Sequence, residues 1–231
     1  MTFTNGNAQA KNNQLLDIYK VDFGFYIKAT DTSSPSEVPM HVEQERIEKA
    51  GWKLLVIYAH PGYLYAEDIL PNGDRTIWQI EYKIKRLMEL RGKMALPMNF
   101  DEFMKTNVYH AGEGFPERWK KHGGITLTND TMTVAGYLCK RAVINYSPDA
   151  VRPGDTKQET TVWYCPELPR FYLPSFEYLQ KIPGMALLVY SDRGYGEIKG
   201  MIAKSVVKLE KPVSFYQLPE GTFIMYPPKI K

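Results

Sequence analysis

The chain has 231 residues, of which 44% are hydrophobic and 24% charged, close to the average of globular proteins and unlike disordered or fibrous chains. A chain of this length hides well over half of its unfolded surface, so we expect one large domain. The 29 basic and 26 acidic residues give a net charge of +3, and the basic residues are too scattered to form a nucleic-acid surface.

The first half of the chain predicts an antiparallel meander. Residues 19–29 are rich in aromatic and β-branched residues, with an apolar residue at most alternate positions, which is typical of a strand. Two further strands are predicted at 53–60 and 63–70, joined by the turn pair Pro61-Gly62. The sequence Pro71-Asn72-Gly73-Asp74 predicts the next turn.

The following segments are less regular. Residues 75–90 fit both a helical and a strand spacing, and we interpret them as a strand that passes into irregular structure. Residues 94–124 hold several prolines and glycines and predict a long connection with a short helix at 101–106. Charged residues at 42–50, ahead of Gly51, predict another short helix.

The second half of the chain returns to β character. Strands are predicted at 132–134, 137–146, 160–165, 186–190, 196–207 and 215–225. Residues 174–181 have the length and composition of one or two helical turns. Together these segments predict an α+β fold built on an antiparallel sheet.

No segment of the sequence has the pattern of a known catalytic or metal site. The histidines His41, His60, His110 and His122 stand far apart, and none has a second His or Cys at ligand spacing. A G-x-S-x-G elbow is absent, and the two cysteines have no recognisable His partner. We therefore expect no metal, no cofactor and no enzymatic activity.

The excess of aromatic residues has two interpretations. The chain has four tryptophans and 16 tyrosines, which either form the core of a β domain or line an apolar cavity for a lipid or another hydrophobic guest. In the second case we expect four residues to line that cavity: Trp78, Tyr82, Trp163 and Tyr190.

The two cysteines allow only one disulfide. Cys139 and Cys165 lie in two predicted strands, and folding that hairpin about Arg152 places them opposite each other. A cross-strand disulfide is the prediction for an exported protein, and two buried thiols are the alternative.

The first ten residues carry a pattern related to export. Ala8-Gln9-Ala10 is the small-x-small pattern of signal peptidase sites, so we interpret residues 1–10 as the tail of a secretory signal and residues 11–231 as a single domain. The alternative is a frayed terminus that carries this pattern by chance. The sequence has no run of 18 apolar residues, so no transmembrane helix is expected.

Three segments of the second half resemble a known family. Residues 129–142 (NDTMTVAGYLCKRA), 161–169 (TVWYCPELP) and 181–190 (KIPGMALLVY) resemble, in order and spacing, three motifs of the GLPGLI and DUF4412 families of secreted Bacteroidetes proteins. The matching signature residues are Gly136, Tyr137, Trp163, Pro183 and Gly184. Lys181 replaces the first glycine of the signature, and Cys165 stands where the family usually has threonine.

The resemblance implies a LolA/LppX-like fold. Such a fold is a strongly curved antiparallel β-sheet, an unclosed barrel, with a few short helices on its concave side. The family has no established activity, so the resemblance implies structural roles for the signature residues. In particular, Pro183-Gly184 would end a short helix and start a buried strand, with Gly184 tolerating a positive φ, and Gly136 would admit a bulge or tight turn.

These observations predict an exported, non-enzymatic protein of the cell envelope, in the periplasm or secreted from a Gram-negative bacterium. Its sheet would hold a lipid or a lipoprotein acyl chain in a groove. The alternative is an interaction or structural module with a filled interior and an envelope protein as partner.

Overall fold

The computed structural model describes residues 17–29, 55–69, 74–101, 124–145, 159–172, 179, 181–192, 197–210 and 220–225. These residues form one twelve-stranded sheet. Its strands are β1 (Tyr19–Ala29), β2 (Leu55–His60), β3 (Tyr63–Ile69), β4 (Arg75–Glu81), β5 (Arg86–Arg91), β6 (Met94–Asn99), β7 (Gly124–Val134), β8 (Tyr137–Asn145), β9 (Glu159–Cys165), β10 (Met185–Asp192), β11 (Glu197–Lys208) and β12 (Phe223–Ile224).

The sheet consists of two meanders that are joined side by side. Strands β1 to β6 follow one another across the sheet, and so do β7 to β11. Antiparallel pairing of β1 with β11 joins the two meanders, and β12 adds to β6 as the one parallel pair among the described strands. Strands β12 and β7 are the two ends of the strand order, so the sheet is unclosed, as the sequence predicted.

The predicted strands of the first meander need two corrections. Residues 75–90 form a hairpin, β4 and β5, around a turn in which Lys85 adopts a positive φ of 54°. Residues 94–99, predicted as part of a long connection, form β6, which contains Pro97. Proline is tolerated there because β12 pairs only with Met94 and Ala95, so the Pro97 position needs no N–H donor toward β12.

The remaining strands lie close to their predicted bounds. The first strand is confirmed at Tyr19–Ala29, and β8 to β11 begin and end within two residues of the prediction. Strand β7 is much longer than predicted, at Gly124–Val134. Only Phe223–Ile224 of the predicted strand 215–225 is a strand in the described residues, and 215–219 lie outside them.

Helices contribute little to the described part of the chain. Helical backbone is confined there to Phe100 and Asp101 and to a 3₁₀ turn at Leu179 and Lys181. The predicted helix at 42–50 and most of those at 101–106 and 174–181 lie outside the described residues.

One face of the first meander carries the hydrophobic core. Residues that pair across neighbouring strands lie on the same face of a sheet. The core face can therefore be followed as one row of paired residues across six strands. The row consists of Val21, Ile57, Ala66, Trp78, Glu89 and Leu96. Phe23, Leu64 and Leu87, which lie in the adjoining rows, are at most 1% exposed.

Candidate functional site

The segment between β9 and β10 packs on the core face. Its apolar side chains are buried in the main core cluster: Leu168, Phe171, Leu179 and Ile182. The Phe171 ring contacts the Phe23 ring edge-on, with 5.8 Å between the centroids. Backbone hydrogen bonds from Leu168 to Cys165 and from Ile182 to Leu179 form the turns at the two ends of the segment.

Tyr82 fixes the middle of this segment. Its hydroxyl donates to the Tyr172 carbonyl at 3.1 Å and accepts from the Tyr172 N–H at 3.2 Å, and the two rings lie 4.4 Å apart. Burial raises the pKa of Tyr82 far above its ordinary value. The Tyr82 hydroxyl is thus a neutral group that satisfies both backbone atoms of Tyr172.

The four aromatic residues expected to line one cavity are on different faces. Trp78 is half-buried on the core face. Tyr190 on β10 pairs with Gly200 on β11, and Gly200 pairs with Tyr26 on β1, so these three residues share one face of the sheet. Tyr26 and Val21 are an odd number of residues apart on β1, and such residues point to opposite faces of a strand. Tyr190 is therefore on the opposite face, where its ring lies 5.3 Å from that of Tyr26.

Trp163 shares the face of Tyr190. It pairs with Leu188, two residues before Tyr190 on β10, and its other neighbour is Arg141 on β8. Because Trp78 and Tyr82 belong to the core face, the four residues do not line a single groove.

The two cysteines lie close together on neighbouring strands. The β8–β9 ladder ends with Lys140 opposite Tyr164, and Cys139 and Cys165 are the residues just beyond that last pair. Both are buried free thiols, and the predicted disulfide is not formed in this structure. Burial and the neighbouring Cys165 thiol raise the pKa of Cys139 to about 11, and the Cys139 thiol donates to the Tyr137 carbonyl at 3.5 Å.

Two carboxylates on the core face were missed by sequence reasoning. Glu89 is 3% exposed, lies opposite Trp78 and accepts a hydrogen bond from Arg91 Nε. Asp68 is half-buried opposite Thr76, and burial raises its pKa. Both carboxylates lie in strands with many apolar residues, which indicated that they could be buried. The sequence does not show which face of each strand is buried, so this could not be predicted for either residue.

Glu67 and Asp68 are adjacent on β3, so their side chains point to opposite faces of the sheet. Glu67 accepts from the Tyr65 hydroxyl at 3.0 Å and from Arg75 at 3.4 Å. Both carboxylates are half-buried.

Three of the signature residues, Gly136, Pro183 and Gly184, lie in connections between strands, whereas Tyr137 and Trp163 lie in β8 and β9. Ala135 and Gly136 have φ values of 48° and 84°, which form the tight two-residue turn between β7 and β8. Gly136 thus has the role that the sequence predicted. Gly184 is not among the residues with positive φ; a Cβ atom there would lie 2.2 Å from the Cys165 carbonyl oxygen, so its role is close backbone approach.

His60 ends β2 and accepts a hydrogen bond from the Gly62 N–H at its Nδ1 atom, at 3.1 Å. Burial lowers the pKa of His60 from its ordinary value. A depressed pKa means that the neutral ring stabilises the fold above about pH 6.5, the ordinary pKa, and that this stability is lost as the pH falls through the folded-state pKa. We therefore expect the free energy of unfolding to decrease as the pH is lowered from about 7 to about 5.

The check is a set of urea unfolding curves over that pH range. His60→Asn is expected to reduce the pH dependence relative to the wild-type chain. An unchanged slope in the His60 variant would contradict this role.

Within the described residues, no group of three or more His, Cys, Asp or Glu side chains could hold a metal ion. The same part of the chain contains no helix long and apolar enough to cross a membrane.

Comparisons with known proteins identify no relative by sequence. No family model and no curated protein matches the chain. Among solved structures, PNGF-II in the C2 and P21 space groups has TM-scores of 0.49 and 0.46, each at 12% identity over 91% of this chain. The chain spans 31% of the length of those structures, and similarities below a TM-score of 0.5 support no conclusion about it.

Proposed function

We propose that this chain is an exported, non-enzymatic interaction module of the cell envelope whose interior is filled by its own residues. The observation that carries this proposal is the packing of the β9–β10 segment on the core face. Phe171 contacts Phe23, and Tyr172 is held by two hydrogen bonds to Tyr82. The face that would hold a lipid in a groove is thus covered by the chain itself.

The free energy that this packing contributes favours a protein with a filled interior over a lipid carrier. Four buried apolar side chains of the segment stabilise the fold by roughly 1.5–3 kcal/mol each, or about 6–12 kcal/mol together. A ligand that displaced the segment would have to offset this loss. An intrinsic micromolar affinity corresponds to about 8 kcal/mol, which is of the same size as this loss, so such a ligand would keep little net affinity.

The resemblance to the GLPGLI and DUF4412 families supports the cellular part of the proposal. It implies an exported protein, in the periplasm or outside the cell, and an envelope protein as partner is part of the same proposal. The strong curvature of a LolA/LppX-like sheet is part of the same proposal.

A hydrophobic ligand, such as a lipoprotein acyl chain, is the second candidate. It is favoured by four half-buried apolar residues that pack against the core near β4 to β6: Trp78, Tyr82, Met98 and Phe100. An acyl chain could lie against these side chains only where the β9–β10 segment leaves them uncovered.

Native mass spectrometry distinguishes the two candidates. The protein is purified from an envelope fraction, and both its native mass and its organic extract are measured. We expect the mass of the bare chain or of a protein complex, and no stoichiometric lipid. A stoichiometric acyl lipid in the extract would instead establish the carrier function.

Export is tested by cell fractionation of the native gene product. We expect the protein in the envelope or medium with Lys11 as the first residue of the mature chain. An uncleaved chain in the cytosol would contradict the envelope assignment.

A further inference from the structure

Four sulfur-containing residues form one row across four neighbouring strands. Met132 on β7 lies opposite Cys139 on β8, and Met185 on β10 lies opposite Cys165 on β9. Cys139 and Cys165 are the residues just beyond the last β8–β9 pair, Lys140 and Tyr164, and the Cys165 thiol is close enough to help raise the pKa of Cys139. The row is therefore Met132, Cys139, Cys165 and Met185, in the order of the strands.

Residues that lie opposite each other on antiparallel strands have Cβ atoms about 4.5–5.5 Å apart. Two thiols at this separation can approach a common ion, and a methionine side chain is long and flexible enough to reach toward a neighbouring strand. The row thus combines two thiols with a thioether on each side of them.

The row is buried except at the end where Met132 lies. Cys139, Cys165 and Met185 are at most 1% exposed and belong to the main core cluster. Met132 is half-buried on β7, which is the outermost of the described strands at this end of the sheet. An ion could therefore enter past Met132 and reach the buried thiols.

Soft thiolate and thioether ligands select Cu(I) over harder metal ions. We propose that Cys139 and Cys165, with Met132 and Met185 as flanking ligands, form a Cu(I) site. Binding replaces the two thiol protons by Cu–S bonds, so two protons are released and the bis-thiolate centre carries one negative charge. No change of oxidation state is required.

Arg141 provides an independent observation at this site. It lies two residues after Cys139 on β8 and therefore on the same face. Its Nε–H is buried and has no hydrogen-bond acceptor within the described residues, although its terminal nitrogens pair with Asp130 at 3.2 Å and Glu159 at 3.6 Å. This cationic side chain, 31% exposed, belongs to a residue two positions from Cys139, and a nearby positive charge favours the anionic form of a bound centre.

This site is separate from the packing of Phe171 and Tyr172 on which the proposed function rests. A chain that carries lipid could still bind Cu(I), and an interaction module could fail to bind it. The two proposals therefore stand or fall separately.

The test is an anaerobic titration of the reduced, folded chain with Cu(I) in competition with bicinchoninate. We expect one Cu(I) per chain, a copper X-ray absorption spectrum with only sulfur neighbours, and affinity that rises with pH because thiol protons are released. Zn(II) is titrated in parallel and is expected to bind more weakly.

Variants separate the ligands from the fold. Met132→Leu keeps the size of a half-buried side chain and is expected to weaken Cu(I) binding by at least about tenfold, the lower end of losses from altering groups that support a metal site. Cys139→Ser is expected to abolish binding. Met201→Leu is the matched control, because Met201 is 2% exposed but pairs with Phe25 and Val189, outside the row.

A reduced chain that is folded and has two titratable thiols yet binds no Cu(I) would overturn the proposal. So would equal affinity for Zn(II), or equal losses in Met132→Leu and Met201→Leu. A native chain lighter by two hydrogens, whose reduced form binds no Cu(I), would identify the cysteines as a structural disulfide pair instead.

Discussion

Gly184→Ala is expected to destabilise the fold by about 3 kcal/mol or more, the upper range for overpacking a well-packed site. A Cβ atom at Gly184 would lie 2.2 Å from the Cys165 carbonyl oxygen, 2.7 Å from its carbonyl carbon and 2.8 Å from Pro166 Cα. All three atoms belong to the backbone, so no side-chain rotation can relieve the contact. The backbone would have to move at the first pair of β9 and β10, Cys165 and Met185.

Chemical denaturation measures this effect, and Gly124→Ala provides the control. Gly124 is the first residue of β7, nothing stands within 4 Å of a Cβ atom there, and its φ is not positive. The control is therefore expected to be neutral or to gain about 0.4–1 kcal/mol from a less flexible unfolded chain. Similar stabilities of the two variants would contradict the close approach at Gly184.

The local β pattern was predictable because it depends on neighbouring residues. Alternation of apolar residues defined β1 at Tyr19–Ala29, and the Pro61-Gly62 turn defined the hairpin of β2 and β3. The proximity of Cys139 and Cys165 was predictable for the same reason, since one hairpin brings their strands together. Strand β6 was missed because Met94–Asn99 has no β-branched residue and contains Pro97.

The long-range arrangement was not predictable from these patterns. Pairing of β1 with β11 joins residues that are more than 160 positions apart, such as Ala29 and Glu197, and no local signal specifies it. Irregular register at Ala186 and Leu188 changes which residues of β10 share a face with β9. The separation of Trp78 from Tyr190 follows from this pairing, so the sequence could not show that they lie on different faces.

The candidate sites also differ in how far the sequence could predict them. The cysteines were singled out from the sequence because the chain has two of them and they lie in adjoining predicted strands. Their methionine neighbours were not, because Met132 and Met185 are 53 positions apart and come together only through β8 and β9. Phe171 was not singled out either, because the sequence does not show which side chains of a connection pack on the sheet.

Phe171→Ala is expected to destabilise the protein by about 3–5 kcal/mol, the usual cost of removing a buried phenyl ring. Phe171 is 1% exposed and its ring lies against Phe23, which is equally buried. The cost is a large fraction of the roughly 5–15 kcal/mol that stabilises a typical domain. Urea unfolding measures the loss, and Phe223→Ala, which removes a phenylalanine that is 57% exposed, is expected to change stability by no more than about 0.5 kcal/mol.

The same variant tests the filled interior directly. Removing the ring leaves an apolar cavity beside Phe23, and such a cavity stays dry and binds small apolar molecules such as benzene. Benzene is therefore expected to raise the melting temperature of Phe171→Ala and to leave that of the wild type and of Phe223→Ala unchanged, because ligand that binds only the folded state stabilises it. If benzene stabilises the wild type as strongly as Phe171→Ala, an open apolar cavity already exists beside the β9–β10 segment. The hydrophobic-ligand function would then replace the interaction module as the better account of this fold.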